Sequence, residues 1–565
     1  MKAIPSAQKL RGGYYTPAPI AQFLADWAIQ KPTTTILEPS CGDGVFFSAA
    51  VSRLLSIGVH PDAIVRQLTG VELDTKEVAK VLYRTKDYFG LTDGPQILVG
   101  DFFSHCQGIL EGKRYDAVLG NPPFIRYQNF PEMHREAAFK LMRAAGLHPT
   151  RLTNAWLPFV VLGTELLTEH GRIAMVVPAE LLQVNYAAEL RQFLSDKCVR
   201  LTLFTFRQLV FDGIQQEIVL LCGERDGGEQ TGIRTIELEN LDDLKMYQHT
   251  PFDHADLKPM DHSREKWTQY FLTKEEIYLL RRIKNIPGLQ GIGQLADVEV
   301  GIVTGMNDFF VLRKSEVESI NANGHAVSLV ARSGHLKGAI FNRNDWKENA
   351  ADDLPAYLLN LPDVPVEQLP DALSDYIQEG ERKEWHKGFK CRIRNPWYRV
   401  PSVWIPDAFM LRQIHNCPRI IVNNAKATCT DTIHRVRVGS GVNVQQLAAS
   451  AFNSLTFAFS EVLGRSYGGG VLELEPREAE DLLVPYEAAE NLDLAKIDAL
   501  LREGKTEKAL EYCDDLLLVK GVGLKRTESK QLNSIWNTLR SRRIGRKRRA
   551  AGTENLRFTF CESIE

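Results

Sequence analysis

Tyr115-Asp116-Ala117-Val118-Leu119-Gly120-Asn121-Pro122-Pro123-Phe124 is an apolar run that ends abruptly. Tyr115–Leu119 reads as a buried strand, and a glycine followed by two prolines cannot continue a ladder. A side-chain amide, a stiff backbone and an aromatic ring are therefore left at the carboxyl end of a strand. In open α/β sheets that is where ligands bind. An isolated Asn-Pro-Pro is more simply a strand-ending turn, so the neighbouring segments must decide.

Outward from this stretch, strand-like and helix-like runs alternate. The strand-like runs are 34–38, 67–73, 96–100, 115–119, 172–177, 199–206 and 217–222, and helical runs at 45–55, 75–86, 155–169 and 178–196 separate most of them. This alternation predicts an α/β fold, a doubly wound, Rossmann-like domain of seven strands spanning 1–225. Thr16 as N-cap and Pro17 at the first helical position open an amphipathic helix ahead of the first strand. The connection 125–154 is long for such a domain, and long connections are more often functional than accidental. Residues 226–290 read as a linker or excursion ending in a helix at 274–284. Short β-like runs (298–303, 309–312, 419–423, 432–438) then predict a mixed, β-rich second domain over 291–485. A helical segment with a basic tail fills 486–565.

Composition narrows the class. Hydrophobic residues make up 44% and charged residues 25% of the 565, the balance of a soluble globular protein. The nine cysteines show neither Cys-x-x-Cys spacing nor a zinc-like cluster with histidine, which points to reduced thiols in a cytoplasmic protein without a structural metal. Apolar runs are strand-sized, so no membrane span is expected. A net charge of −3 excludes general affinity for polyanions. The charge is uneven, however. Between Glu381 and Arg437, twelve Lys/Arg stand against four Asp/Glu, interleaved with Trp385, Phe389, Trp397, Tyr398, Trp404 and Phe409. That mixture suits phosphate contact and base packing as well as it suits a solvated surface over an ordinary core. In Arg540–Arg549, seven of ten residues are basic, the pattern of a solvated tail able to add sequence-blind affinity for nucleic acid.

Four features fall on successive strand ends of the first domain. Glu38-Pro39-Ser40-Cys41-Gly42-Asp43-Gly44 is a small-residue loop between strand and helix, where glycine lets a ligand approach backbone amides and a carboxylate can hold an ammonium group. The nucleotide pattern Gly-x-Gly-x-x-Gly is absent, which disfavours a pyrophosphate. Glu72 ends the second strand, where a ribose diol is gripped. Asp101-Phe102 ends the third and can meet an adenine amine and its ring. Asn121–Phe124 ends the fourth. Each alone is weak, since such carboxylates often serve as helix caps. Their joint order is not.

This set resembles the amino-methyltransferases that use S-adenosylmethionine, and in particular the gamma arrangement of DNA adenine-N6 methyltransferases of restriction–modification systems (TaqI-like and Eco57I-like). Glu38–Gly44, Glu72, Asp101-Phe102 and Asn121–Phe124 match their first, second, third and catalytic motifs, and Tyr14-Tyr15-Thr16-Pro17 matches their upstream motif. Val210-Phe211-Asp212-Gly213 resembles the target-base loop. Val300–Gly305 and Gly464-Arg465-Ser466-Tyr467-Gly468-Gly469-Gly470 resemble parts of the target-recognition region. The resemblance spans about 11–485, departing at Phe124, where many relatives carry Tyr.

It implies S-adenosylmethionine held by Thr16, Pro17, Glu38, Pro39, Cys41, Gly42, Glu72, Asp101 and Phe102. It implies catalysis by Asn121, Pro122, Pro123, Phe124 and Phe211, without metal. The partners it implies are double-stranded DNA, contacted through Arg392, Arg394, Tyr398, Arg399, Arg465 and Tyr467, and a cognate restriction endonuclease. An adenine amine is a poor nucleophile because its lone pair is delocalised. Acceptance of its two hydrogens by the Asn121 side-chain oxygen and the Pro122 carbonyl draws the nitrogen toward tetrahedral geometry for direct, in-line attack. The base must first leave the duplex, and Phe124 and Phe211 would stack on it. No Pro-Cys dipeptide offers a thiolate route to cytosine C5. Two alternatives remain: an amino-methyltransferase acting on protein glutamine or RNA, and an inactive DNA-binding homologue.

Overall fold

The computed structural model describes residues 15–545 except 88, 92, 212–216, 227–229, 248–255, 468 and 469. Two compact units divide these residues, one running to Lys274 and the other spanning Glu275–Ile544.

The first unit opens with α1 (Ala18–Ala28), which buries Ile20, Phe23 and Leu24 on one face. Thr16 is not its cap: Pro17 occupies the N-cap position, and the Thr16 hydroxyl is used elsewhere, as described below. Then follow β1 (Ile36–Glu38), α2 (Val45–Ser56), β2 (Leu68–Glu72), α3 (Thr75–Leu82), β3 (Gln96–Val99), α4 (Phe102–Cys106) and β4 (Tyr115–Gly120). The long connection after β4 contains a helix, α5 (Glu132–Ala144). Next come α6 (Trp156–Glu165), β5 (Leu167–Pro178), α7 (Ala188–Lys197), β6 (Arg200–Phe206), β7 (Ile218–Glu224) and β8 (Gly232–Leu238). The sheet order is β3-β2-β1-β4-β5-β7-β6-β8. All neighbours are parallel except β7, which runs antiparallel to β5 and β6.

The sheet therefore has eight strands. The eighth lies in the polar stretch expected to be a linker; it pairs with β6 along its whole length, and the buried Arg234 donates to Thr202 Oγ1 at 2.9 Å. Strand order reverses beside β1. The β1–β4 ladder ends at Leu37–Val118, whereas β4 continues to pair with β5 as far as Gly120–Met175. The strand ends carrying Glu38 and Asn121 thus part, and a cleft opens at the switch point.

The second unit is built on a mixed five-stranded sheet. Its strands are β9 (Ala296–Val300), β10 (Ile340–Phe341), β11 (Ala408–Leu411), β12 (Ile420–Asn423) and β13 (Ile433–Val438), in the order β9-β13-β11-β12-β10. The run expected as a strand at 309–312 is instead a short helix, Asn307–Phe310, that leads into the strand Val311–Leu312. Its turn is closed locally, because the Phe309 and Phe310 amides both donate to the Met306 carbonyl at 3.2 Å. Another single turn, α8 (Phe389–Arg392), lies in the basic, aromatic stretch. The C-terminal helical segment belongs to this unit. Within it, α9 (Ser454–Leu463) and α10 (Arg526–Ile544) meet through Phe457 and Trp536, whose ring centroids are 5.1 Å apart. No helix among the described residues is long and apolar enough to cross a membrane.

The basic run beginning at Arg540 is not a tail at its start. Arg540, Arg542 and Arg543 lie on α10, while 546–549 fall outside the described residues. Arg543 is 2% exposed. It donates to both carboxylate oxygens of the buried Glu461 at 3.0 and 2.7 Å, and to the carbonyls of Ile414, His415 and Gly470. Removing one partner of such a pair strands the other charge in the core. Arg543→Ala should cost about 3–5 kcal/mol, read as a lower urea midpoint, and the paired apolar replacement Arg543→Met/Glu461→Leu should cost less.

Candidate active site

A cleft of about 840 Å³ lies over the carboxyl ends of β1, β2, β3 and β4. The first-domain candidates Thr16, Glu38, Pro39, Cys41, Gly42 and Glu72 line it, and so do Asp101, Phe102, Asn121 and Pro123. Pro17, Pro122, Phe124 and Phe211 are not on its wall.

Its floor begins with Glu38, which is 2% exposed. Burial, reinforced by Asp43 and Glu72 nearby, pushes its carboxyl well above the usual range. Its Oε2 has no hydrogen-bond partner among the described residues. A buried acceptor left in this state is costly unless a donor reaches it. The loop from Glu38 into α2 turns at Gly44, whose φ is +81°. A Cβ there would stand 3.0 Å from the Val81 backbone, so only glycine brings α2 this close to α3. Cys41 in the same loop is 3% exposed, and burial pushes its thiol up. It is packing, not a nucleophile.

Glu72 is held at both oxygens. Gly42 N–H donates to Oε2 and Asp74 N–H to Oε1, each at 2.8 Å. Desolvation nevertheless raises its pKa. Asp101 caps α4: its Oδ2 accepts from Ser104 N–H and Oγ, both at 2.9 Å. Its Oδ1 lies 3.6 Å from His134 Nδ1. Phe102 stacks on Phe159, with centroids 5.3 Å apart and planes at 11°.

Asn121 stands at the lip. Its Nδ2 donates to Thr16 Oγ1 at 3.1 Å, which turns the carbonyl end of the amide the other way. Ser40 Oγ donates to the Asn121 carbonyl at 3.4 Å, tying this turn to the β1 loop. Phe124 packs against the main core of the unit, which includes Phe211 at 8% exposed. Asp212 and Gly213 of the expected target-base loop lie outside the described residues, as does Tyr14.

Several lining residues were not anticipated: Glu77 and Lys80 on α3, His134 on α5 and Phe159 on α6. Lys80 donates to both Glu77 at 2.7 Å and the Tyr15 hydroxyl at 3.1 Å. The only advance signal was the unusual length of 125–154, which contains His134. Six acidic side chains line the cleft (Glu38, Asp43, Glu72, Asp74, Glu77, Asp101) against one lysine, with Asp43 paired to Arg84 at 2.8 Å. Such a cleft attracts a cation and repels a phosphate chain.

The candidate contacts in the second unit fare unequally. Tyr398 is 6% exposed, in the core, with its hydroxyl donating to the Val364 carbonyl; it cannot face a groove. Arg394 spends its guanidinium on the Thr304 and Val303 carbonyls at 2.6 and 2.7 Å. Arg399 pairs with Asp363, and Arg465 with the buried Glu478 at 3.0 Å. Arg392 is exposed and forms no ion pair among the described residues. Tyr467 ends a short strand, Arg465–Tyr467, and Gly468 and Gly469 of that segment lie outside the described residues. Of the aromatics in 381–437, Phe409 is fully buried and Phe389 is 64% exposed.

Residues 2–278 match the family described as N-6 DNA Methylase. Residues 264–518 match the C-terminal domain of Type II methyltransferase M.Eco57I. Type II methyltransferase M.AccI of Acinetobacter calcoaceticus is 24% identical over 489 residues, covering 82% of this chain and 83% of its own. Type II methyltransferase M.XamI of Xanthomonas campestris pv. amaranthicola is 27% identical over 512 residues, 85% of this chain and 86% of its own. The Type IIL restriction-modification enzyme MmeI, solved in complex with DNA, shares the fold at a TM-score of 0.59 and 13% identity, over 93% of this chain and 75% of that one. With the two matched regions running together from residue 2 to residue 518, the chain belongs to the N-6 DNA methylase family.

Proposed function

We propose that this chain methylates the N6 amine of adenine at a specific site in duplex DNA, as the modification enzyme of a restriction–modification system in the cytoplasm. The observation that carries the residue assignment is the Asn121 amide, oriented by Thr16 at the lip of an acidic cleft.

The cleft fits S-adenosylmethionine. The unsatisfied Glu38 Oε2 would receive the ammonium of its methionine, Glu72 its ribose diol, and Asp101 with the Phe102 face its adenine. When bound, the cofactor supplies an electrophilic methyl group. The excess of carboxylates favours this cationic molecule over its product, which lacks the sulfonium charge. Asn121 accepts one hydrogen of the target amine through Oδ1, and the Pro122 carbonyl accepts the other. Thr16 fixes which end of the amide is presented, because an amide turned over would offer donors to a donor. Pro123 restricts the backbone that carries both acceptors. Phe124, only partly buried, offers ring surface to the extruded base, worth about 1–3 kcal/mol for a stacked ring, whereas Phe211, expected to stack as well, is packed in the core.

Asn121→Ala should lower transfer of labelled methyl to duplex DNA by about a hundredfold or more, with cofactor affinity within a few-fold of the parent. Persistent activity would remove Asn121 from this role. Running duplex DNA, RNA and protein in parallel identifies the acceptor; label in RNA or protein with none in DNA would overturn the proposal. Thr16→Val should cost about 1 kcal/mol in kcat, roughly fivefold, and Thr16→Ser should restore it. Glu72→Ala should raise the cofactor Kd by about tenfold or more, as for a hydrogen bond to a charged group, while leaving KM for DNA nearly unchanged.

A further inference from the structure

Two segments of the second unit, distant in sequence, are locked together. Gly305, with φ +82°, sits so close to α8 that a Cβ there would come within 2.6 Å of Lys390 Cβ. Arg394 closes the other side through its two hydrogen bonds to the Val303 and Thr304 carbonyls. Its guanidinium also lies over the buried Phe310 ring, 5.9 Å from the centroid. The backbone of this platform is thus clamped from beneath.

What it presents outward is unusual. Val303, Phe389 and Ile393 are 40%, 64% and 63% exposed. Phe389 opens α8 and Ile393 is the capping residue just past its end, a spacing of four that brings the two side chains to the same side. Between them in sequence, Lys390 and Arg392 are exposed and without an ion pair among the described residues. Other cations nearby are neutralised: Lys387 by Glu384, Arg382 and Lys383 by Glu379, Arg399 by Asp363. Apolar side chains on a rigid base, flanked by positive charge that has no acidic partner among the described residues (the Lys390 ammonium lies 5.9 Å from the Phe389 ring centroid), match a surface whose outer edge is phosphate and whose interior is stacked bases.

We propose that the Phe389–Ile393 platform is a wedge for duplex DNA: Phe389 and Ile393 enter the groove and press on a base step, while Lys390 and Arg392 hold the flanking phosphates. This rests on the reading of the chain as a DNA methyltransferase. In it Arg394 is a positioning residue, fixing the platform without touching the nucleic acid.

The test uses the full chain and a duplex containing the site that the parent enzyme methylates, with 2-aminopurine at the target position to report base extrusion. Phe389→Ala/Ile393→Ser should weaken binding about tenfold or more at every salt concentration, with an unchanged salt slope and a reduced 2-aminopurine signal. Arg392→Ala should reduce the slope of log K against log salt by about one. All replaced side chains are exposed, so circular dichroism should match the parent. Parent-like binding and extrusion in the double variant would overturn the wedge. So would loss of binding to another protein with DNA binding intact. A parent that methylates RNA or protein but neither binds nor methylates DNA would overturn the underlying reading instead.

Discussion

One carboxylate ties the first unit's cleft together. Glu72 accepts from the loop after β1 through Gly42 and from its own strand end through Asp74. It therefore holds two strand ends at a fixed spacing, on the side of β1 away from β4. On the other side the β1–β4 ladder has already stopped. The loop between is held on one flank through Glu72, which accepts two 2.8 Å hydrogen bonds, and on the other by the 3.4 Å Ser40–Asn121 contact, and the cleft opens at this switch point. Glu38, Cys41 and Ser40 take their positions from that loop.

Much of this was legible because each key residue ends a strand, and strand ends follow from apolar runs stopped by Gly, Pro or acid. Glu38, Glu72, Asp101 and Asn121 were found that way. Lys80, His134 and Phe159 were not, because they lie on helices whose facing depends on how the layers pack. Thr16 was legible as a residue and misread as a cap; its actual partner lies 105 residues away, beyond any local pattern. The eighth strand was hidden by the polar residues before it and by Arg234, a charge in a buried position satisfied by Thr202.

The second unit was less legible for a related reason. A run of charge or aromatics does not reveal which members are already paired. Tyr398 and Phe409 turn inward, Arg394 clamps carbonyls, and Arg543 meets Glu461 in the core. Only after these are subtracted do Phe389, Ile393, Lys390 and Arg392 stand out. In the first unit, Glu38 Oε2 is one of the buried polar atoms without a hydrogen-bond partner among the described residues, and it lies in the cleft.

The Thr16–Asn121 hydrogen bond also has a meaning in time. At about 5–20 residues per second, the ribosome delivers Asn121 several seconds after Thr16. Until β4 is in the sheet, the threonine has nothing to orient. The Asn121 amide is thus oriented late, when a strand made afterwards meets a segment made first.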